Sequence, residues 1–510
     1  MKKSSLIIKD SLWALGAGFV LGALLSTFSA GSFWLGWLKC GVLSALLVLG
    51  LIRVWRLTGA GRTLAGLMLV TIIIRIGFGI FLNHGLPVFG FDNPVQNSGY
   101  VFSDAHDRDQ AAYQMAVSGK DWLPQIKANV AADQYGGLLT LSALIYWLFS
   151  ADVHRPLLMV LVSAAAMAAG LAFLFAAVNR KWGAKMAVIA AWIYALYPDG
   201  VLLGSSQMRE PILIGLTCLL LWSVVDWKSK PIRSLVSALI ISAVTCLVSI
   251  PGAGAAFTVV LGLVFFEWLQ DQSNPRTRKM ALLGFAVFLG LVGIAGWMWL
   301  KDGLSYEYFM TQSGSGWITA LLEQYGKQFQ IPFITFYGLT QPLLPAALVD
   351  SSLPIWKGIA IFRAAGWYLI IPFLLYGLFA VFKAQKEENR AVLIFLGLAL
   401  GAWILISSLR AGGDQWDNPR YRTTFLPWIA ILTAWVWLRV SQQKRPWFWR
   451  IVAVEGVFVV VFLDWYLYRN FNFGPLISFP VLMIILAGTA VFILVGGLIW
   501  DKKITGKKHR

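Results

Sequence analysis

The chain alternates long apolar runs with short polar breaks, most of them basic. The runs cover 12–30, 34–52, 64–82, 135–150, 157–178, 186–203, 211–227, 234–250, 254–269, 281–300, 332–349, 364–382, 391–409, 424–440, 451–468 and 477–500. A helix of about 20 apolar residues crosses about 30 Å of hydrocarbon. In lipid only helices and closed barrels satisfy the backbone, and the period-2 alternation of a barrel is absent from the sequence. Two runs stand apart: 135–150 is short, and 332–349 contains Pro332, Pro342 and Pro345. The pattern predicts an all-α polytopic transmembrane helix bundle of about 14 spans, with these two runs not crossing.

Charge placement supports that count. With both doubtful runs left out, the loops 1–11, 53–63, 179–185, 228–233, 270–280, 383–390, 438–450 and 501–510 fall on one side and hold most of the 42 Lys and Arg residues. The positive-inside rule makes that side cytoplasmic, with both termini there. If 135–150 crossed, the loop of Arg180, Lys181 and Lys185 would move outside, with every loop after it. The run is therefore expected to be re-entrant or surface-lying. The first run lacks a convincing cleavage site and reads as a retained span.

Composition agrees with this picture. Apolar residues make up 58% of the chain and charged residues 13%, which excludes a disordered chain. The net charge of +18 is scattered in small clusters on one side, so it is a topology signal and not a nucleic-acid stripe. Cys40, Cys218 and Cys246 all lie in apolar runs, so no disulfide framework is suggested. Many of the 25 Trp residues flank span ends, as an aromatic belt does.

Candidate chemistry concentrates in three outside segments, 83–156, 301–363 and 410–423. The first contains Asp104, His106, Asp107, Asp109 and Tyr113. On a helix, Asp109 and Tyr113 share a face, and a carboxylate there could act as general base toward a hydroxyl. The plain alternative is a solvated acidic loop with a helix cap. The same spacing could also hold a divalent metal, and no other cofactor is implied. Arg209 and Glu210 follow Tyr197-Pro198 at an outer interface; Glu210 either complements a helix start or offers a second carboxylate. Arg420 and Arg422 flank Tyr421 on the side that normally avoids Arg, with Arg410 nearby. They could grip a phosphate or simply anchor at the interface. Arg75 lies inside a span, which makes it a functional candidate by default.

The order of these features resembles the GT-C-type membrane glycosyltransferases, on the branch of protein O-mannosyltransferases and bacterial aminoarabinose transferases. Asp109-Gln110-Ala111-Ala112-Tyr113 is similar to the family's Asp-Glu-x-x-Tyr, with Gln110 in place of Glu. Tyr135 to Ser150 stands where the family has a juxtamembrane helix, here without its Pro-Pro pair. Asn179-Arg180-Lys181, Tyr197-Pro198, Ser205 to Glu210, and Arg420-Tyr421 ahead of Pro427 complete the order. The resemblance divides the chain into two extra N-terminal spans (1–63), a GT-C-like core with outside loop 83–156 (64–300), a second outside loop with a re-entrant segment (301–363), and C-terminal spans with loop 410–423 (364–510).

The resemblance implies a plasma (inner) membrane transferase. It would move a sugar from a polyprenyl-phosphate donor to an acceptor hydroxyl of a lipid, glycan or protein on the outer face. Asp109 and Glu210 would be catalytic. Arg209, Arg420 and Arg422 would bind the donor phosphate, supported by Asp104, His106, Tyr113, Tyr421, Arg410 and Arg75. Membrane lipids are implied partners, and nucleic acid is not. Two rivals remain at this stage. A lipid-linked oligosaccharide flippase would be expected to show mirrored repeats and midplane polar residues. A polysaccharide polymerase or ligase would use outside Arg and His, such as His84, His106 and His154.

Overall fold

The computed structural model describes residues 2–129, 133–314, 323, 326–385, 388–412, 414–443 and 445–508. Its described residues form helices and no strand. Eleven helices are long and apolar enough to cross a membrane, or up to thirteen if each of two bent pairs is one span. The chain is a multi-pass α-helical membrane protein. The expected count of about 14 differs by one because the 211–227 run is a 15-residue helix, Glu210–Val224, short of a full crossing by itself.

The chain divides into two compact units. The first comprises Met1–Trp299 with Thr423–Ala430, and the second Leu300–Arg422 with Ile431–Arg510. The first unit opens with α1 (Lys2–Thr27), α2 (Phe33–Leu57) and α3 (Arg62–Phe89). α4 (Pro94–Asn97), α5 (Ser103–Val117), α6 (Trp122–Ala128) and α7 (Gly137–Phe149) make up the long loop. α8 (Leu157–Trp182), α9 (Ala184–Leu196), α10 (Pro198–Gly204), α11 (Glu210–Val224), α12 (Pro231–Val248), α13 (Ile250–Asp271) and α14 (Pro275–Gly314) follow. α14 runs beyond residue 300, where the apolar run ends, so part of the 301–363 segment continues a helix; residues 315–322 lie outside the described ones.

α8 is the axis of this unit, with 83% of its most apolar window buried. Small residues let neighbours touch it: a Cβ on Gly170 would lie 2.8 Å from Gly215 Cα of α11. α1 and α2 form a tight hairpin for the same reason. A Cβ on Gly18 or Gly22 would overlap the backbone of Ala45 or Gly41. Small residues four apart on facing helices are how membrane helices approach closely. Leu25, Cys40, Leu43, Ile76, Leu158 and Leu161 then bury α1, α2, α3 and α8 in one core.

The 135–150 run is α7, a 13-residue helix entered through Gly136 at φ +71°, a backbone state that suits glycine. The 332–349 run is broken into Gln330–Thr340 and Leu344–Val349, as its prolines lead one to expect.

Arg75 explains itself in this fold. α9 and α10 form a pair bent by 59° at Pro198. Pro198 has no N–H, so the carbonyl of Tyr194, four residues back, loses its helical donor. Arg75 reaches across from α3 and supplies the break: Nη2 donates to Tyr194 O (3.4 Å) and Nη1 to Ala195 O (3.1 Å). Its side chain is fully buried, and Gly204 leaves room for it, since a Cβ there would sit 2.6 Å from Arg75 Nε. Arg75→Leu should destabilise the protein by about 1–3 kcal/mol for each buried carbonyl left without a donor. Gly204→Leu should do the same by expelling the guanidinium. Thermal unfolding in detergent measures both, and an unchanged midpoint in Arg75→Leu would refute this role.

Candidate functional site

The loop between α3 and α8 is built to hold one carboxylate. Asn93 caps α4 by accepting from Gln96 N (3.0 Å), and Gly99, at φ +79°, presses against the end of α3 at Asn83. This turn delivers Tyr100. α5 and α7 pack on the start of α8 through Ala112, Met115, Leu139, Ala143, Tyr146 and Met159. That core aims Asp109 of α5 at Tyr146 of α7. The turn between α7 and α8 brings His154.

Asp109 is 2% exposed and meets three donors. Tyr146 Oη donates to Oδ1 (2.6 Å), Tyr100 Oη donates to Oδ2 (2.6 Å), and His154 Nε2 lies 2.9 Å from Oδ2. Tyr113 stacks on the His154 ring with centroids 4.5 Å apart. The expected shared face of Asp109 and Tyr113 is therefore present, with the imidazole as the object between them. Burial pushes the Tyr100 and Tyr146 phenols well above their ordinary range, and the Asp109 charge pushes them further, so both stay neutral donors. With Asp109 ionised, a carboxylate surrounded by donors can only accept. In its neutral form His154 then carries its proton on Nε2, which leaves the lone pair on Nδ1.

The turn that carries His154 is fixed on both sides. Ser150 Oγ donates to Val153 O (2.5 Å), and Arg155 forks onto both oxygens of Asp152 (2.9 and 2.8 Å). Lys39 of α2 adds a third contact to Asp152 at 2.6 Å. These cations, Arg155 foremost, hold the Asp152 carboxyl below the usual carboxylate range.

Arg108, one residue before Asp109, points elsewhere. Its Nη2 donates to Gln207 O (2.6 Å) in the turn before α11. Burial lowers its pKa, while Asp104, Glu210 and Asp133 oppose that shift. Glu210, 3% exposed, thus belongs to the charge group around Arg108. The Asp109 carboxylate makes its bonds to the two phenols and the imidazole. Arg209 lies half-buried over the Tyr135 ring, 5.8 Å from its centroid. His106 pairs with exposed Asp107 at 2.9 Å and sets its ring edge against Tyr100. Among the described residues no three His, Cys, Asp or Glu converge in a way that could hold a metal ion.

The remaining candidates lie in the second unit. Arg422 is fully buried, with its guanidinium 3.4 Å from the Trp367 ring centroid and Nη2 donating to Gln341 O (2.9 Å). Arg420 faces Asp417 at 2.9 Å, and Arg410 sits over Tyr421 at 5.6 Å. Arg363, absent from the sequence reading, lies over Trp416 at 4.2 Å and donates to Gln415 O. Arg363, Arg410 and Arg422 thus each lie over an aromatic ring, and Arg420 faces an acid.

Sequence reasoning placed Asp109 and Tyr113 together but missed Tyr100 and Tyr146, and it took His154 only as one of several outside histidines. Nothing in the spacing signals them, because they meet Asp109 only through the packing of α5, α7 and α8.

No family model matches the chain, and no curated protein matches it. Among solved structures it is similar to the archaeal oligosaccharyltransferase AglB from Archaeoglobus fulgidus, solved in complex with an inhibitory peptide and a dolichol-phosphate. The identity is 13% and the TM-score is low, at 0.34; the match covers 84% of this chain and 54% of that one. The chain thus spans about half the length of that protein.

Two measurements test the packing of this site. Tyr146→Phe removes one donor from a buried charge and should cost about 1.5–3 kcal/mol of stability, read by thermal unfolding. Asp152 has a folded pKa below its ordinary value of 3.8, so its contribution should be fully present above pH 4 and fade as pH falls further. The gap in unfolding midpoint between wild type and Asp152→Asn should therefore be flat from neutral pH down to about 5 and close in stronger acid. A gap that widens in acid would reverse this assignment.

Proposed function

We propose that the chain is a membrane glycosyltransferase that moves a sugar from a polyprenyl-phosphate donor to an acceptor hydroxyl on the outer face. The observation that carries the reading is the buried Asp109 carboxylate holding His154 by one nitrogen. A base oriented by a third group is the arrangement that activates a hydroxyl. Sequence order supports the sugar chemistry, through the likeness of Asp109-Gln110-Ala111-Ala112-Tyr113 and its following motifs to the GT-C glycosyltransferases.

In this reading Asp109 acts through His154. The acceptor oxygen forms a bond to the sugar C1 as its proton passes to His154 Nδ1. The bond from C1 to the phosphate oxygen breaks, and polyprenyl phosphate leaves with the electron pair. Charge on the leaving phosphate needs cations rather than a proton. Arg209, in the same unit as His154, is proposed for that task. Glu210 is proposed for a supporting part, its charge favouring the Arg108 cation whose Nη2 holds Gln207 O before α11. The polymerase or ligase reading shares this chemistry, and it gains from the presence of His84 and His154 on one cavity wall.

The test uses the full chain in nanodiscs with a polyprenyl-phosphate sugar, measuring release of polyprenyl phosphate. Asp109→Asn and His154→Ala should each lower the rate by about 10²–10⁴-fold, the range for losing a positioned base. Wild-type rates in both variants would remove the mechanism.

A further inference from the structure

A cavity of about 400 Å³ opens in the first unit, within the range of about 300–1,000 Å³ typical of small-molecule sites. Phe28 and Ser29 from the turn after α1, His84 from α3, Asn97 and Ser98 after α4, and His154 contribute to its wall. None of its lining residues is Lys, Arg, Asp or Glu. A phosphate group is normally held by guanidinium or ammonium groups, and this wall offers neither.

What the wall offers is uncharged hydrogen bonding. His84 Nδ1 lies 3.2 Å from Ile80 O, a carbonyl that can only accept, so the neutral ring keeps its lone pair on Nε2. His154 is the complement, with Nε2 spent on Asp109 and the lone pair on Nδ1. Asn97 spends its amide nitrogen on Asp92 (2.9 Å), which leaves its amide oxygen as an acceptor. Phe28 sets its ring edge-on to His84, with centroids 5.3 Å apart, and gives the wall an apolar plate. Neutral acceptors beside an aromatic ring fit a ligand with many hydroxyl donors and an apolar C–H face.

We propose that this cavity binds a neutral carbohydrate, the acceptor saccharide, with one of its hydroxyls presented to His154. Its part in turnover rests on the transferase reading above; its binding does not. The α1–α2 hairpin, which supplies the Phe28–Ser29 side of the wall, is then a piece of the acceptor site.

Saturation-transfer NMR on the full chain in nanodiscs tests this without any donor. The probes are glucose, N-acetylglucosamine, glucose 1-phosphate and inorganic phosphate. At least one neutral sugar should bind. His84→Ala and Asn97→Ala should each weaken that binding by about tenfold, the change expected for losing one good hydrogen bond. Ser98→Trp, at an exposed position, should block the cavity without disturbing the fold. The proposal is overturned if no neutral sugar binds, if phosphate or glucose 1-phosphate binds in preference, or if binding ignores all three variants.

Donor turnover is a separate readout. If His154→Ala stops turnover while saccharide binding ignores His84 and Asn97, this inference fails alone. If saccharide binding depends on them while the wild-type chain releases no polyprenyl phosphate from the donor, the transferase reading fails alone.

Discussion

A charge cannot be buried in an apolar protein interior unless its hydrogen bonds are met, and Asp109 is where this chain meets that condition. Its three donors come from three separate stretches: the turn after α4, the last turn of α7, and the turn into α8. One carboxylate thus ties together the segments that would otherwise be an irregular loop of more than sixty residues between two spans. The same bonds that satisfy the charge orient the imidazole. Structure and candidate chemistry are one arrangement here, since loosening any donor shifts the ring that carries the free lone pair.

Around this centre the supporting parts are mechanical. Asp152 takes Arg155 and Lys39 at once, so the turn bearing His154 is clamped to α2. α2 is in turn locked to α1 by facing small residues. The N-terminal hairpin is therefore coupled to the His154 turn by a short chain of contacts, although its sequence reads as nothing more than two apolar runs.

Much of the fold is legible in the sequence because lipid leaves few options. Apolar length, proline placement and the distribution of Lys and Arg lead to a helical bundle with two non-crossing runs, and α7 and the broken 330–349 segment match those runs. The site is legible only in part. Asp109 and Tyr113 follow from helical spacing, but Tyr100, Tyr146 and His154 reach Asp109 through tertiary packing that no local pattern encodes. Arg75 is picked out in the sequence by its place inside a span, but its bonds to the Tyr194 and Ala195 carbonyls at the Pro198 break emerge only from the packing of α3 on α9. Arg422 is buried against the Trp367 face, a contact that no local sequence pattern signals.

The Pro198 break also bears on how the chain enters a bilayer. α9 has 13 residues and so spans only about 20 Å, too little to partition as a stable independent segment. α3 carries a guanidinium that is costly to leave in hydrocarbon by itself, about 2.5–3.5 kcal/mol on insertion scales. Each segment holds what relieves the other, and they are separated by more than a hundred residues of synthesis. The Arg75 contact at the break can therefore form only after α9 has joined α3 in the folded bundle.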